Sequence, residues 1–180
     1  MQKNIFFAFL LLIFSSFFWS GNFFTGKLAF NNDLSPFKLS FFRWLLAFLI
    51  LLPFTSKEII KNLNIYINNI ILMIILSILG VAIFNSFTYI SLQTTLVINS
   101  SLMTSIAPVL IIGFSWLIFK TKTTYLQFTG IFLSLFGALC IVLKGNISNL
   151  LNLYFTPGDI WMFIAVFSWG LYSVLLKKID

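Results

Sequence analysis

Histidine is absent from the 180 residues, and cysteine occurs once, at Cys140. Without imidazole there is no histidine base and no histidine metal site. A lone thiol builds neither a thiolate cluster nor an intramolecular disulfide. No metal and no cofactor is therefore expected. Charge is scarce too: 8% of the residues are charged, with eleven Lys and Arg against four Asp and Glu. A soluble domain carries about 25%, so these few charges cannot give a globule of this length its water-facing surface. There is no Gly-x-x-x-x-Gly-Lys-Ser/Thr phosphate loop, and with it no visible machinery for ATP hydrolysis.

What the chain has in quantity is apolar. Hydrophobic residues make up 60%, phenylalanine alone contributes 24 residues, and mean hydropathy is +1.05. Disorder requires the opposite composition. The expected class is an all-α integral membrane protein. The net charge of +7 does not point to nucleic acid, because the basic residues stand singly or in pairs between apolar runs, as membrane-flanking charges do.

A bilayer crossing takes roughly 20 apolar residues at about 1.5 Å of rise each. Six spans are expected, over residues 5–25, 35–54, 69–90, 96–119, 125–143 and 160–176. The first exceeds the roughly 7–15 apolar residues of a signal core and lacks a convincing cleavage pattern, so it reads as a retained helix ending near Lys27. Pro36 suits the start of the second and Pro53 its exit. The segment from Lys57 to Asn64 reads as a polar linker. No charge occurs between Asn62 and Phe119, a run too long for one helix, with a tight turn expected at Ser91–Thr95. Lys144-Gly145 stops the fifth helix, residues 146–158 form a periplasmic linker, and Asp159 is the expected N-cap of the sixth.

The loops alternate in charge. Lys3, Lys57, Lys61, Lys120, Lys122, Lys177 and Lys178 fall on one side, and Lys27, Lys38 and Lys144 on the other, with Arg43 a candidate fourth there. The basic-rich side is expected to face the cytoplasm of a bacterial inner membrane, with both ends of the chain inside.

The first and sixth helices overlay at an offset of 150 residues, with Phe17-Phe18-Trp19-Ser20 against Phe167-Ser168-Trp169-Gly170. In each, the Trp is followed eight positions later by Lys, at Lys27 and Lys177. Five helices separate the copies, so the second begins on the opposite membrane face, the build of an inverted-topology repeat.

These segments resemble the EamA family of the drug/metabolite transporter superfamily. Phe17-Phe18-Trp19-Ser20-Gly21-Asn22-Phe23-Phe24 looks like its opening helix, and Phe41-Phe42-Arg43-Trp44-Leu45 like its arginine-bearing second helix. Ser91-Leu92-Gln93-Thr94-Thr95, Ser105-Ile106-Ala107-Pro108 and Leu126-Gln127-Phe128-Thr129-Gly130 follow its third to fifth helices in order. Gly158-Asp159-Ile160 through Ser168-Trp169-Gly170-Leu171-Tyr172 looks like the start of its second repeat. The resemblance implies a ten-helix carrier of two five-helix repeats, generally exporting amino acids, metabolites or drugs. On that pattern residues 1–145 are the first repeat and 159–180 the opening helix of a second, incomplete one, the chain being either a fragment of a longer protein, the expected case, or an abnormal short form. The chain departs from the family at Lys120-Thr121, where a Gly-Glu pair is usual, so no role of that glutamate carries over.

Polar residues inside the spans are the candidate site. An arginine at a helix centre costs roughly 2.5–3.5 kcal/mol on insertion scales. Arg43 is either a snorkelling residue near Lys38 or a cavity cation that attracts anionic or zwitterionic solutes. Asn22, Asn85 and Asn99 are interhelical packing amides or substrate contacts. Asn85 and Tyr89 share a helix face, as do Ser101 and Ser105. Pro108 is expected to free a carbonyl near Thr104, either at a transport site or merely tolerated in packing. Trp19 and Trp169 pack as aromatics or face a cavity. Gly130, Ser134 and Ala138 form a small-residue stripe expected to meet another helix. No carboxylate is expected within a span, Asp33 and Asp159 reading as loop residues.

The function expected is secondary transport of a small molecule by alternating access. The alternative is a non-transporting membrane subunit or an inactive half-carrier. An enzyme is not expected, because Ser101 and Ser105 lack an activating base. The expected partners are the bilayer, a small-molecule substrate and, in a dimer, a second copy.

Overall fold

The structure, a computed structural model, describes residues 2–143 and 155–179. Lys144 and most of the expected linker lie outside the described residues. All regular structure among those described is helical. Five segments are long and apolar enough to cross a membrane: Ile5–Asn31, Pro36–Lys61, Ile70–Thr94, Val97–Phe119 and Pro157–Lys178. A shorter apolar helix lies between the last two.

The first helix, α1 (Gln2–Asn31), runs past its expected end. Lys27 sits inside it and donates from Nζ to the Leu92 carbonyl at 2.6 Å. The last carbonyls of a helix lack partners, and an ammonium is a suitable donor for one of them. The helix ends instead where Asp33 adopts a left-handed φ of 56°.

The second, α2 (Pro36–Lys61), continues through Pro53 rather than ending there. Proline removes one backbone bond, but ending the helix among apolar residues would strand several polar groups without water. Lys57 and Glu58 are thus helical, and the following piece, α3 (Leu63–Asn68), is short.

The third span is interrupted. α4 (Ile70–Ser77) leads into a π turn over Ile78–Ile83, and α5 (Phe84–Thr94) completes it. Ser91 is still helical, so the turn comes later than expected, with Thr95 extended. The fourth span is α6 (Val97–Met103), a 3-10 turn over Thr104–Ile106, and α7 (Ala107–Phe119), closed by Lys120 in the left-handed region. α8 (Tyr125–Val142) starts on a reciprocal cap between Thr124 and Gln127.

The last helix, α9 (Pro157–Leu175), is capped by Thr156 and not by Asp159. Pro157 occupies the first helical position, where its missing N–H costs nothing. That moves Asp159 to the third position, inside the helix.

The core lies where α5 meets α1 and α9. Phe23, Phe84, Tyr89, Leu92, Met162, Ala165 and Val166 are buried together there. Small residues allow the approach: a Cβ on Gly158 would meet the Ser91 carbonyl, the Thr94 hydroxyl at 2.7 Å and Thr95 Cβ at 2.9 Å. In lipid there is no hydrophobic drive between helices, so such close packing supplies the attraction. The outer faces of α1 and α2 are apolar, with Phe17 and Phe18 each 71% exposed. Contiguous apolar surface of this kind would associate in water and is ordinary against acyl chains.

Candidate functional site

Three helices converge on Arg43. From α2 its Nη1 donates to Asn22 Oδ1 on α1, to the Tyr89 hydroxyl on α5, and to Asn85 Oδ1 on α5 at 3.4 Å. The Tyr89 hydroxyl in turn donates to Asn22 Oδ1 at 2.6 Å. Asn22, Asn85 and Tyr89 are all buried. The expected shared face of Asn85 and Tyr89 is therefore directed at one cation.

The partners of the guanidinium are neutral, and no carboxylate among the described residues bonds to it. Beside it opens a cavity of about 580 Å³ lined by Phe17, Phe18, Ser20, Gly21, Asn22, Phe24, Thr25 and Arg43. A guanidinium carries five N–H donors in a planar fork suited to carboxylate or phosphate. Only Nη1 is engaged with described residues. The arrangement can therefore receive an anionic group without displacing an existing ion pair.

Asn85 also reaches the other way. Its Nδ2 donates to the carbonyls of Gly80 at 3.2 Å and Val81 at 3.1 Å, both within the π turn. Ser168 on α9 donates to Leu79 O in the same turn at 3.1 Å. A π turn disturbs the ordinary backbone ladder, and side chains commonly serve the carbonyls it displaces.

An aromatic layer stands next to this cluster. Trp19 lies parallel to Phe84 at 5.7 Å between centroids, and Trp169 meets Phe84 at 4.7 Å and Trp19 at 6.1 Å. The two tryptophans related by the 150-residue offset thus touch. They line a cavity of about 190 Å³ with Thr104, Ala107 and Val166.

The remaining candidates sit elsewhere. Ser101 donates to Ile98 O at 2.9 Å and lines a cavity of about 270 Å³ beside Trp19 and Ser20. Pro108 is exposed and lines a cavity of about 390 Å³ between α7 and α8, and the Thr104 carbonyl it was expected to free accepts from the Ala107 N–H in the 3-10 turn. The tighter turn supplies the bond that proline cannot. A Cβ on Gly130 would meet nothing within 4 Å, and Ser134 is exposed. Gly130 faces α7 across that same cavity, which Pro108, Ile111 and Ile112 line from the other side, so the stripe is not in close helix contact there. Ala138 instead borders a cavity of about 310 Å³ together with Asn99 and Asp159.

Asp159 corrects the expectation that no carboxylate lies within a span. It belongs to the apolar helix Pro157–Lys178 and is 7% exposed. Its Oδ1 accepts from Thr95 Oγ1 at 2.6 Å, and its Oδ2 from the Thr156 N–H at 2.7 Å and hydroxyl at 3.0 Å.

Residues 6–143 match the model of the EamA-like transporter family. The chain belongs to that family. It is 28% identical to an uncharacterized transporter of Archaeoglobus fulgidus over 175 residues, which is 94% of this chain and 57% of the relative. Against an uncharacterized transporter of Clostridium kluyveri the identity is 26%, over 95% of this chain and 56% of the relative. The uncharacterized transporter YyaM of Bacillus subtilis is 30% identical over 61% of this chain and 36% of its own length. The chain thus spans just over half the length of the relatives it matches most fully. No solved structure matches it.

Within the EamA-like family frame, Thr95 and Ser168 are polar residues that sequence reasoning passed over, and Asp159 is one it took for a loop N-cap. A signal was present for Asp159: Thr156-Pro157-Gly158-Asp159 has the spacing of a capping box before an apolar run. Thr95 and Ser168 gave no comparable sign, since their partners lie 64 and 89 residues away.

Proposed function

We propose that the chain is the membrane-embedded repeat of a secondary transporter that carries a small solute by alternating access. In this reading the anionic group of the solute, as in an amino acid or a carboxylated metabolite, rests on the free face of Arg43. The observation that carries it is the guanidinium held by Asn22, Asn85 and Tyr89 beside a cavity, its partners among the described residues all neutral. A charge kept within apolar helices at such cost commonly marks a solute or ion pathway.

Contact between Trp19 and Trp169 supports residues 1–145 as one repeat and 159–180 as the opening of an inverted second. The end carrying Lys57, Lys61, Lys120, Lys122, Lys177 and Lys178 is placed in the cytoplasm, and export of metabolites, amino acids or drugs is the proposed direction.

The test is flux in proteoliposomes holding the full-length protein, across a panel of amino acids and carboxylates. Flux that responds to an imposed proton or sodium gradient, and that Arg43→Ala removes, supports the proposal. Flux that no gradient alters for any solute overturns coupled transport, and absence of flux for every solute favours a non-transporting membrane subunit.

A further inference from the structure

We propose that the cavity between α6, α8 and α9 is a second binding site, for a primary ammonium group carried on an apolar body. This goes beyond the Arg43 reading and does not rest on it. The cavity measures about 310 Å³ and has walls of Leu102, Met103, Ile106 and Leu139. Its polar groups are Asp159, Asn99 and Ser105. Two of these are half-exposed with capacity to spare: neither the Asn99 amide nor the Ser105 hydroxyl bonds to any described residue.

Asp159 brings a negative charge that no Lys or Arg among the described residues neutralises; its partners are Thr95 and Thr156. An ionised carboxylate away from water is costly unless a charge or several donors meet it. The N-terminus of α9 offsets part of that cost. A carboxylate has about four acceptor positions, and described donors fill three of them, which leaves room for one further N–H.

The chemistry of the walls selects the ligand. An anion is repelled by Asp159. A bare metal ion needs a shell of oxygens, six to eight for calcium, and the described residues contain no group of three or more His, Cys, Asp or Glu. Water alone would leave roughly ten molecules, at about 30 Å³ each, against largely apolar walls. A quaternary ammonium has no N–H for the Asn99 oxygen or the last position on Asp159. A primary ammonium offers three donors and an apolar tail for Leu102, Met103 and Leu139, methionine being adaptable to tails of varied shape. Such a group comes either from a free amphiphilic amine or from an ethanolamine lipid headgroup.

The experiment is calorimetric titration of the full chain in phosphatidylcholine nanodiscs with hexylamine, hexanol and hexyltrimethylammonium. Hexylamine is expected to bind at least about tenfold tighter than either analogue, roughly the 1.4 kcal/mol that a tenfold ratio represents. Asp159→Asn keeps an oxygen for the cap and is expected to abolish the preference. Ala138→Phe fills the cavity without touching the cap and is expected to abolish hexylamine binding, which keeps the test decisive should the first variant fail to fold. Equal affinity for amine and alcohol, or unaltered amine binding in Ala138→Phe, overturns the proposal. Adding phosphatidylethanolamine to the disc assigns the source: competition with hexylamine identifies the headgroup, and unchanged binding identifies the free amine, each alongside the expected variant effects.

Discussion

Two charged side chains that bond between helices, the exposed Arg43 and the buried Asp159, are supported in opposite ways. Arg43 is gripped at one nitrogen by residues 21 to 46 positions away in sequence, on α1 and α5. Its other donors are free of described partners. Asp159 is held chiefly by the residue three before it, with one long-range hydroxyl from Thr95. The first arrangement requires three helices to assemble and leaves hydrogen-bonding capacity over. The second is largely local and nearly saturated. A group in the first state can offer a ligand several donors; one in the second mainly fixes a helix start and keeps a single acceptor position for a ligand alongside.

The largest expected effect tests the first half of that contrast. Arg43→Ala is predicted to lower solute flux by about 10- to 100-fold, the range for losing a charged hydrogen bond of about 1.5–3 kcal/mol. The fold is expected to persist, because Tyr89 and Asn22 remain bonded to each other at 2.6 Å. Arg43→Lys is expected to recover only part of the flux, since a point charge does not reproduce the planar fork. Flux measured at equal reconstituted protein, with far-UV circular dichroism as the folding control, decides the matter. Unchanged flux in Arg43→Ala would make the residue an interfacial anchor.

Next in size is a change of shape beside Asp159. Gly158→Ala is predicted to destabilise the protein by about 1–3 kcal/mol, as overpacking does. The obstruction includes the Ser91 backbone carbonyl, which has little freedom to move. Gly80→Ala is expected to cost less: its Cβ would meet the Tyr172 ring, Cδ2 at 2.6 Å, and a side chain can turn. Thermal unfolding in detergent is the measurement. A larger loss at Gly80 would show that the α5–α9 contact near Asp159 is looser than its geometry implies.

Asp159 itself comes third. Asp159→Ala is predicted to cost about 1 kcal/mol, the usual net value of a lost hydrogen bond, here those from Thr156 and Thr95, and Asp159→Asn only a fraction of that. The same unfolding assay reads both. If the two variants behave alike, the carboxylate is not holding the helix start, and the contrast with Arg43 weakens.

How much of this was legible beforehand follows from the same contrast. Composition and charge spacing gave six apolar helices, and Pro36 gave the start of α2. Pro53 misled because the rule that proline ends helices assumes water ready to take the released carbonyl. Asn22, Arg43, Asn85 and Tyr89 each stood out as polar residues in apolar runs. That they form one cluster depends on how α1, α2 and α5 pack, and spacing along the chain does not contain this. The π turn left no mark, since Ile78 to Ile83 reads as ordinary apolar helix. Asp159 was readable in principle, but its proximity to Thr95 required Gly158 to bring α9 against α5.

The smallest expected effect asks whether the two regions communicate. Asn85 bonds both to Arg43 and to the Gly80 and Val81 carbonyls, while Ser168 holds Leu79 from α9. Ser168→Ala is predicted to cost about 0.6 kcal/mol, the average for an interhelical polar contact in a membrane. Its interest lies in a double-mutant cycle with Asn85→Ala. Independent sites add to within about 0.3–0.5 kcal/mol, whereas residues of one network couple by more. If the π turn transmits the position of Arg43 to α9, the pair is expected to couple by more than about 0.5 kcal/mol in unfolding, and Ser168→Ala to alter flux although it lies outside the Arg43 cluster. Additive costs with unaltered flux would separate the regions: Arg43 would then act within α1, α2 and α5, and α9 would be positioned by Asp159, Gly158 and its core packing.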